Sequence, residues 1–164
     1  MKEFIRAEVI EKIPGAVYQD SVWDWDVIIQ HASGIQLKLF DGFDRISEDL
    51  KVHQTYQLIL SPLLFPNSMT LAKAATQALT EDELDKGYYY WSGEIVDTTL
   101  KLSEYNLSLS IPNLSTRENV LVKTSLGGII FSKRELAEEL GEYRDGDVIQ
   151  WKFMRLDLLA VVER

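Results

Sequence analysis

Cysteine is absent from the 164-residue chain, so neither disulfide bonds nor thiolate metal ligands are available to it. The longest apolar runs fall far short of the ~20 residues that a membrane-spanning helix needs. Residues 1–8 have no uninterrupted apolar core and no cleavage pattern of the kind that signal peptides carry. Together these absences favour a cytoplasmic protein that does not act at a membrane.

Catalytic signatures are missing as well. Histidine occurs only as His31 and His53, the two candidates for a general base at neutral pH. The chain has no G-x-S-x-G elbow, no S-x-x-K motif and no cysteine, so neither histidine has an obvious nucleophile to activate. The sequence predicts no catalytic residue and no cofactor, and an acid/base enzyme built on Asp24, Asp26 and His31 is kept as an alternative hypothesis.

Aspartates are dense in the first part of the chain. Asp24 and Asp26 are two residues apart, so both leave the same side of a predicted strand. With Asp41 or Asp44 they could supply an oxygen-rich cation site. Neither an EF-hand spacing nor an H-E-x-x-H motif accompanies them. We interpret these carboxylates as solvated strand and turn residues and expect no metal site.

Basic residues are outnumbered along the whole chain. The net charge is −9, of which −4 falls in residues 1–64 and −5 in residues 65–164. Only Lys133-Arg134 places two basic residues side by side. Because a spread acidic field repels phosphate backbones, we expect no nucleic-acid partner and favour a protein partner with a basic surface.

The dominant local pattern is that of β-strands. Short apolar alternations, typical of half-buried antiparallel strands, recur in the first half at residues 5–9, 23–29, 35–39 and 56–60. A short helix with Asp44 as its cap and with Ile46 and Leu50 facing inward is predicted before the last of these. In the second half, strands are predicted at residues 88–96, 107–111, 120–123, 129–131, 148–154 and 158–162.

The clearest helix signal follows the predicted hairpin of the second half, whose turn is assigned to residues 126–128. Ser132 and Glu135 have the spacing of a capping box, and Phe131 and Leu136 stand at the staple positions. Gly141 is placed to end this helix.

A different composition marks the middle of the chain. Residues 71–79 are rich in alanine and threonine and show no β alternation. Thr80 and Glu83 match a capping box, and Gly87 stands where a helix would end. These signals predict a helical connector at about 66–87 between two halves, at about 1–65 and 88–164.

The two halves follow the same order of strand, strand, strand, short helix and strand. Residues 27–34 resemble residues 120–127, which we interpret as a degenerate internal duplication. This order fits small barrels in which a helix closes one end between the third and fourth strands, as in oligonucleotide/oligosaccharide-binding barrels. The predicted fold is therefore mainly β, a β-rich α+β protein with small barrel-like antiparallel sheets in one compact unit, with two tandem barrels as the alternative.

Aromatic and acidic side chains are the candidates for binding. Aromatic side chains suit stacking on sugars and anchoring of protein partners, and the aromatic candidates are Trp23, Trp25 and Trp91. Carboxylates on solvated helix faces would provide an acidic surface, and the acidic candidates are Glu81, Asp82, Glu138 and Glu139.

These features predict a non-enzymatic protein-binding module, such as an adaptor, an inhibitor or an immunity-type partner. Its acidic, aromatic-containing surface would select a basic protein through charge complementarity. A small-molecule or carbohydrate-binding β-barrel with Trp23, Trp25 or Trp91 in its site is the alternative, and a structural component of a larger assembly is a further one.

Overall fold

The structure is a computed structural model that describes residues 3–42, 46–73, 79–81 and 87–163. Strand accounts for 58% of the chain and helix for 12%, so the prediction of a mainly β fold is confirmed. The described strands are β1 (Ile5–Pro14), β2 (Val17–Tyr18), β3 (Ser21–Val22), β4 (Trp25–His31), β5 (Gln36–Asp41), β6 (Thr55–Leu64), β7 (Thr70–Ala72), β8 (Thr80–Glu81), β9 (Tyr89–Leu100), β10 (Leu107–Ser110), β11 (Asn119–Thr124), β12 (Gly127–Ser132) and β13 (Val148–Val162). The described helical elements are α1 (Lys133–Leu140) and the 3-10 turns Ile46–Asp49, Leu102–Glu104 and Leu114–Thr116.

Five of these strands close into a barrel. β1 pairs with β4 and β6, β4 pairs with β5, and β13 joins β5 to β6. All of these pairs are antiparallel except β13 and β5, which run parallel. The 3-10 turn Ile46–Asp49 lies between the third and fourth barrel strands and buries Ile46, and Leu50 is buried directly after it. This connectivity resembles that of oligonucleotide/oligosaccharide-binding barrels, as the predicted order of strands and short helix indicated; the predicted cap, Asp44, lies outside the described residues.

β13 belongs to the barrel and to the sheet that extends beyond it. The sequence predicted two strands here, at 148–154 and 158–162, but the structure has one strand of 15 residues. Residues 148–153 pair with β9, whereas residues 155–162 pair with β6. β9 continues the sheet through β11 to β12, so β13 connects the barrel to this extension.

Two glycines let the chain before β1 approach the extension closely. The backbone N–H of Gly128 donates to the Glu3 carbonyl at 2.8 Å, and Phe4 forms a parallel bridge with Gly128. A Cβ on Gly128 would lie 2.7 Å from that carbonyl oxygen, and one on Gly127 would lie 3.1 Å from the Ile5 Cα. Gly127 and Gly128 are the first two residues of β12, so the predicted turn at 126–128 is corrected to residues 125–126.

The core contains the largest aromatic side chains of β9, β12 and β13. Trp91 and Trp151 are cross-strand partners whose ring centroids lie 6.0 Å apart, and Phe131 meets Trp151 edge-on at 5.2 Å. All three are fully buried. Aromatic side chains of this size each bury roughly 150–250 Å², so this cluster supplies much of the apolar contact between the two parts of the sheet.

Helix α1 forms as its sequence predicts. The Ser132 hydroxyl accepts a hydrogen bond from the Glu135 N–H at 3.1 Å, and Gly141 caps the other end with a φ of 73°. Phe131 and Leu136, the predicted staple pair, are both buried. The eight-residue helix is thereby fixed at its start by a side-chain cap and by core contacts.

The predicted helical connector is wrong at the positions the structure describes. Thr70–Ala72 and Thr80–Glu81 are strands that pair with β13 and β9, so Thr80 is not a helix cap. Residues 74–78 and 82–86, including Glu83, lie outside the described residues. β-pairing to longer strands overrides the weak helical preference of an alanine- and threonine-rich sequence.

The internal duplication stays a prediction. Residues 27–34 and 120–127 each contribute the first strand and turn of a hairpin, β4–β5 and β11–β12. The first hairpin lies in the barrel wall and the second in the extension. The similar segments therefore occupy different places in the architecture.

Candidate functional site

The hairpin formed by β2 and β3 lies between the first two barrel strands and forms a separate two-stranded sheet. The Gly15 N–H donates to the Asp24 carbonyl at 2.9 Å, and the Trp23 N–H donates to the Ala16 carbonyl at 2.8 Å. A side-chain oxygen of Asp24 accepts from the Ala16 N–H at 2.8 Å. Asp24 thus fixes the base of the hairpin, which accounts for this carboxylate without a catalytic role.

The turn of the hairpin needs two left-handed residues. Gln19 and Asp20 have φ values of 49° and 64°, the sign that a tight type I′ hairpin turn requires at both central positions. Both residues are exposed to solvent. The turn therefore lies at the surface of the protein.

Exposed apolar side chains concentrate at this hairpin. Val17 is 62% exposed, Tyr18 61%, Trp23 39% and Ile13 38%. The Tyr18 and Trp23 rings meet edge-on with centroids 6.2 Å apart. We call Val17, Tyr18 and Trp23 the hairpin patch. Contiguous apolar exposure of this kind marks interaction surfaces more often than scattered single residues do.

Trp25 is placed differently from Trp23. The sequence predicted both in one strand at residues 23–29, but β4 begins at Trp25 and the Trp23 N–H pairs within the hairpin, so the start of that strand is corrected to Trp25. Trp25 is half-buried, and the Lys12 ammonium lies 5.5 Å from its ring centroid. Trp25 therefore supports the base of the hairpin, and Trp23 is the more exposed of the two indoles.

Trp91 is removed from the list of surface candidates. Its exposed fraction is 0%, and it packs against Trp151 and Phe153. Its neighbour Tyr90, one position earlier in β9, is exposed.

The predicted acidic surface is largely engaged within the protein. Glu139 accepts hydrogen bonds from the N–H groups of Asn67 at 3.1 Å and Met69 at 3.2 Å. Glu138 pairs with Arg134 at 3.1 Å on the exposed face of α1, and Glu81 accepts from a backbone N–H at 3.2 Å. Asp82 lies outside the described residues. Whether these carboxylates act together as a binding surface stays a prediction.

A second aromatic group surrounds Lys152. Its ammonium lies 5.0 Å from the ring centroid of Phe65, 5.2 Å from that of Tyr88 and 5.5 Å from that of Tyr90. Such rings attract a cation through their quadrupoles. Because the protein's own lysine occupies the space among them, this cluster is a stabilising contact rather than an open cation site.

A crevice opens beside β13, at the point where the pairing of β13 with β9 ends and its pairing with β5 begins. Its volume is about 290 Å³, at the lower end of the ~300–1,000 Å³ typical of ligand pockets. The apolar lining includes Phe40, Tyr89 and Met154, and the polar lining includes Lys38 and Arg155. Arg155 stacks on Phe40 at 4.2 Å from the ring centroid, which fixes the guanidinium at the rim.

The proposed acid/base residues are not assembled for catalysis. Nδ1 of His31 lies 2.8 Å from the Ser33 hydroxyl and accepts from the Ser33 N–H at 3.1 Å, a local turn contact. Asp24 holds the hairpin base, as above. Within residues 3–42, 46–73, 79–81 and 87–163, no group of three or more histidine, aspartate or glutamate side chains is arranged to hold a metal ion.

Comparison of the chain with protein-family models, with curated proteins and with solved structures finds no match. In the part of the chain that the structure describes, no helix has both the length and the apolar character needed to cross a bilayer. Each candidate site is therefore assessed from its geometry alone.

Sequence reasoning identified Trp23 but missed its neighbours. Val17 and Tyr18 form a strand of only two residues, too short for alternation to indicate which face is exposed. The signal that could have found the patch is the polar Gln19-Asp20 pair between two short apolar segments, which is typical of a hairpin turn. The side chains of Val17, Tyr18 and Trp23 are exposed at this hairpin.

Proposed function

We propose that the protein is a non-enzymatic binding module that anchors a basic protein partner through the hairpin patch. The observation that carries this proposal is the concentration of exposed apolar surface at Val17, Tyr18 and Trp23. Tyrosine and tryptophan are enriched among the residues that dominate the binding energy of protein interfaces. An adaptor, an inhibitor or an immunity-type partner would all use such a surface.

The charge beside the patch supports a basic partner. Asp20 lies in the turn of the hairpin, and Asp24 and Asp26 follow Trp23 along the chain. Asp20 is exposed, so its carboxylate is free to meet a lysine or arginine of a partner. Complementary charge of this kind raises association rates and selects among partners more than it raises affinity. We propose the cytoplasm as the compartment, on the composition of the chain.

The position of the hairpin in the barrel is a further support by analogy. In oligonucleotide/oligosaccharide-binding barrels, the loop between the first two strands is one of those that contact ligands. The β2–β3 hairpin occupies that loop here. Because one fold serves many functions, this analogy supports the location of the site and not the class of its ligand.

A photo-crosslinking amino acid tests the proposal directly. Placed at Tyr18, it should crosslink the chain to one partner in the native cell extract, and adding Trp23→Ser should reduce the crosslinked product at least several-fold. The matched control places the same amino acid at Val52, which is also exposed but lies outside the hairpin. Equal crosslinking from both positions, or none from Tyr18, would contradict the proposal.

Charge is tested separately from the aromatic anchors. With the crosslinked partner purified, Asp20→Lys should lower its association rate and weaken the dependence of that rate on salt. Stopped-flow or surface-based kinetics measure both. An unchanged rate at low salt would show that the partner is not selected by this carboxylate.

A small ligand in the crevice between β5 and β9 is the second candidate function. The specific observation is an apolar lining whose polar positions include Asp26, Gln36, Lys38 and Arg155, which would suit an amphipathic or sugar-like ligand. A panel of glycans and metabolites that leaves the melting temperature and the tryptophan fluorescence unchanged would argue against it.

A further inference from the structure

A polar cavity lies away from the hairpin patch, on residues that the proposed function does not use. It has a volume of about 270 Å³ and is formed by the end of β9, the residues around the turn Leu114–Thr116, and the start of α1. Its lining is polar at almost every position and includes Thr98, Lys101, Ser103 and Ser115.

The charge of this cavity is opposite to that of the whole molecule. Three cationic side chains line it, those of Lys101, Arg117 and Lys133, and Glu118 is the carboxylate among the described lining residues. The chain as a whole has a net charge of −9. A local excess of cations in such a molecule favours an anion at this position and not elsewhere on the acidic surface.

Arg117 is held rigidly at the cavity. Its Nε donates to the side-chain oxygen of Asn119 at 2.7 Å, and the Asn119 amide donates back to the Arg117 carbonyl at 2.8 Å. Asn119 is only 1% exposed, so it fixes the guanidinium plane from the core side. A fixed guanidinium presents its remaining N–H groups in the geometry that matches the oxygens of phosphate or carboxylate.

One of those remaining groups lacks an acceptor. Nη2 of Arg117 is buried and has no hydrogen-bond partner in the described part of the chain. Burial also lowers the pKa of Arg117, with the Glu135 carboxylate acting in the opposite direction. Buried charged donors are rarely left without a partner in native proteins. Because protein atoms cover Nη2, an anion in the cavity would reach it only after a small shift of the Arg117 side chain.

Hydroxyl groups add neutral donors beside these cations. The hydroxyls of Thr99 and Thr116 are engaged internally, with Asp97 and with the Asn113 carbonyl. The lining also brings Ser103 and Ser115 to the cavity. Hydroxyl, ammonium and guanidinium groups together are the donors that proteins use around phosphate.

We propose that this cavity binds a tetrahedral oxyanion, either free phosphate or sulfate or the phosphate group of a small phosphomonoester. Lys101, Arg117 and Lys133 provide the charge, and the serine hydroxyls complete the hydrogen bonding. A cavity of this size also has space beyond one phosphate group for part of a small organic molecule.

Isothermal titration calorimetry of the full chain with inorganic phosphate, sulfate and glycerol phosphate tests the site. Each titration is matched in ionic strength with chloride. We expect one binding site per chain, and a lower Kd for glycerol phosphate than for phosphate would identify the phosphomonoester as the source of the anion. The reverse order would identify the free anion.

Two lysine variants and one control variant test whether the anion binds at this cavity. Lys101→Gln and Lys133→Gln should each weaken the Kd about ten-fold, since each removes a charge-assisted contact. Arg134→Gln removes the same charge from the position next to Lys133, but Arg134 faces solvent and pairs with Glu138, so its Kd should stay unchanged. Circular dichroism spectra of the three variants check that each remains folded.

Two results would overturn the inference. One is the absence of binding heat, together with melting temperatures that rise equally in phosphate, sulfate and chloride. The other is an equal loss of affinity in Lys133→Gln and Arg134→Gln, which would show that the anion responds only to overall charge. Because the hairpin patch contributes no residue to this cavity, either result leaves the proposed protein partner untouched.

Discussion

At the scale of single residues, Gly128 allows the chain before β1 to pack on β12. The space beside it is filled by the backbone of Glu3 and the side chain of Leu121. Gly128→Ala would place a methyl group 2.7 Å from a carbonyl oxygen, which backbone movement alone can relieve. We expect a loss of about 1–3 kcal/mol in the free energy of unfolding, measured by urea denaturation.

Gly42→Ala is the matched control for that substitution. Its added methyl would meet the ring edge of Phe40 at 3.3 Å, and a ring edge can shift by a few tenths of an ångström. The control should therefore lose much less stability. Similar losses in both variants would show that the approach of the chain to Gly128 is not the cause.

Glu135 is a second residue whose position has a measurable consequence, because burial raises the pKa of its carboxyl group. The Arg117 guanidinium lowers this pKa, and the neighbouring carboxylates of Glu139, Glu138 and Asp157 raise it further. The folded state then binds the proton more tightly than the unfolded state does. The contribution of this group to stability is present below the ordinary pKa and is lost as the pH rises through the raised folded pKa.

Glu135→Gln should therefore stabilise the protein at neutral pH and have little effect below pH ~4, where the wild-type group is protonated in both states. Urea denaturation at the two pH values measures the difference. An equal effect at both pH values would contradict the raised pKa.

The aromatic residues show what the sequence can and cannot indicate at this scale. Alternation placed Trp91 and Tyr90 on opposite faces, but it could not decide which face is covered. The rings that pack against Trp91 are Trp151 and Phe153 of β13, which is distant in the chain. Whether a strand face is buried depends on tertiary contacts, which the alternation of residues does not reveal. Trp91 was therefore selected as a surface residue even though the strand that contains it was predicted correctly.

At the scale of elements, helix α1 holds the loop between β6 and β7 through one carboxylate. The two oxygens of Glu139 accept from the N–H groups of Asn67 and Met69. Glu139→Ala should cost about 1–2 kcal/mol of stability, since hydrogen bonds to a charged group are stronger than neutral ones. The amide hydrogens of Asn67 and Met69 should also exchange faster, which NMR hydrogen exchange measures.

Glu138→Ala is the control in the next position of the same helix. Among the described residues its carboxylate pairs with the exposed Arg134 alone, and exposed pairs contribute roughly 0–1 kcal/mol. Exchange at Asn67 and Met69 should be unchanged in this variant. If both variants accelerate exchange equally, the loop depends on the helix as a whole and not on Glu139.

Elements with local signals were predicted well, and elements that depend on distant pairing were not. α1 has its cap, its staple residues and its terminal glycine within eleven residues of sequence, and these signals predicted the helix correctly. The connector at 66–87 has no such partner nearby: β7 and β8 exist because β13 and β9 offer them edges. Likewise, nothing local shows that residues 148–154 and 158–162 form one strand.

At the scale of the whole molecule, the binding surfaces separate by charge and by polarity. The hairpin patch is apolar and flanked by aspartates, whereas the cavity at Arg117 is polar and lined by cations. The sequence composition gave the overall negative charge, but it could not show that the local charge differs between these two regions. The fold is needed to gather Lys101, Arg117 and Lys133, which lie up to 32 positions apart in the sequence.

Because β13 follows the other barrel strands in the chain, the barrel closes only late in translation. β1, β4, β5 and β6 are translated before residue 65, but the strand that closes them begins at Val148. At the usual elongation rates of about 5–20 residues per second, the barrel wall stays open for roughly 4–17 s on the ribosome. During that interval β5 and β6 present unpaired edges that invite pairing with other chains. Translation speed through residues 65–147 therefore sets how long the nascent chain is exposed to aggregation.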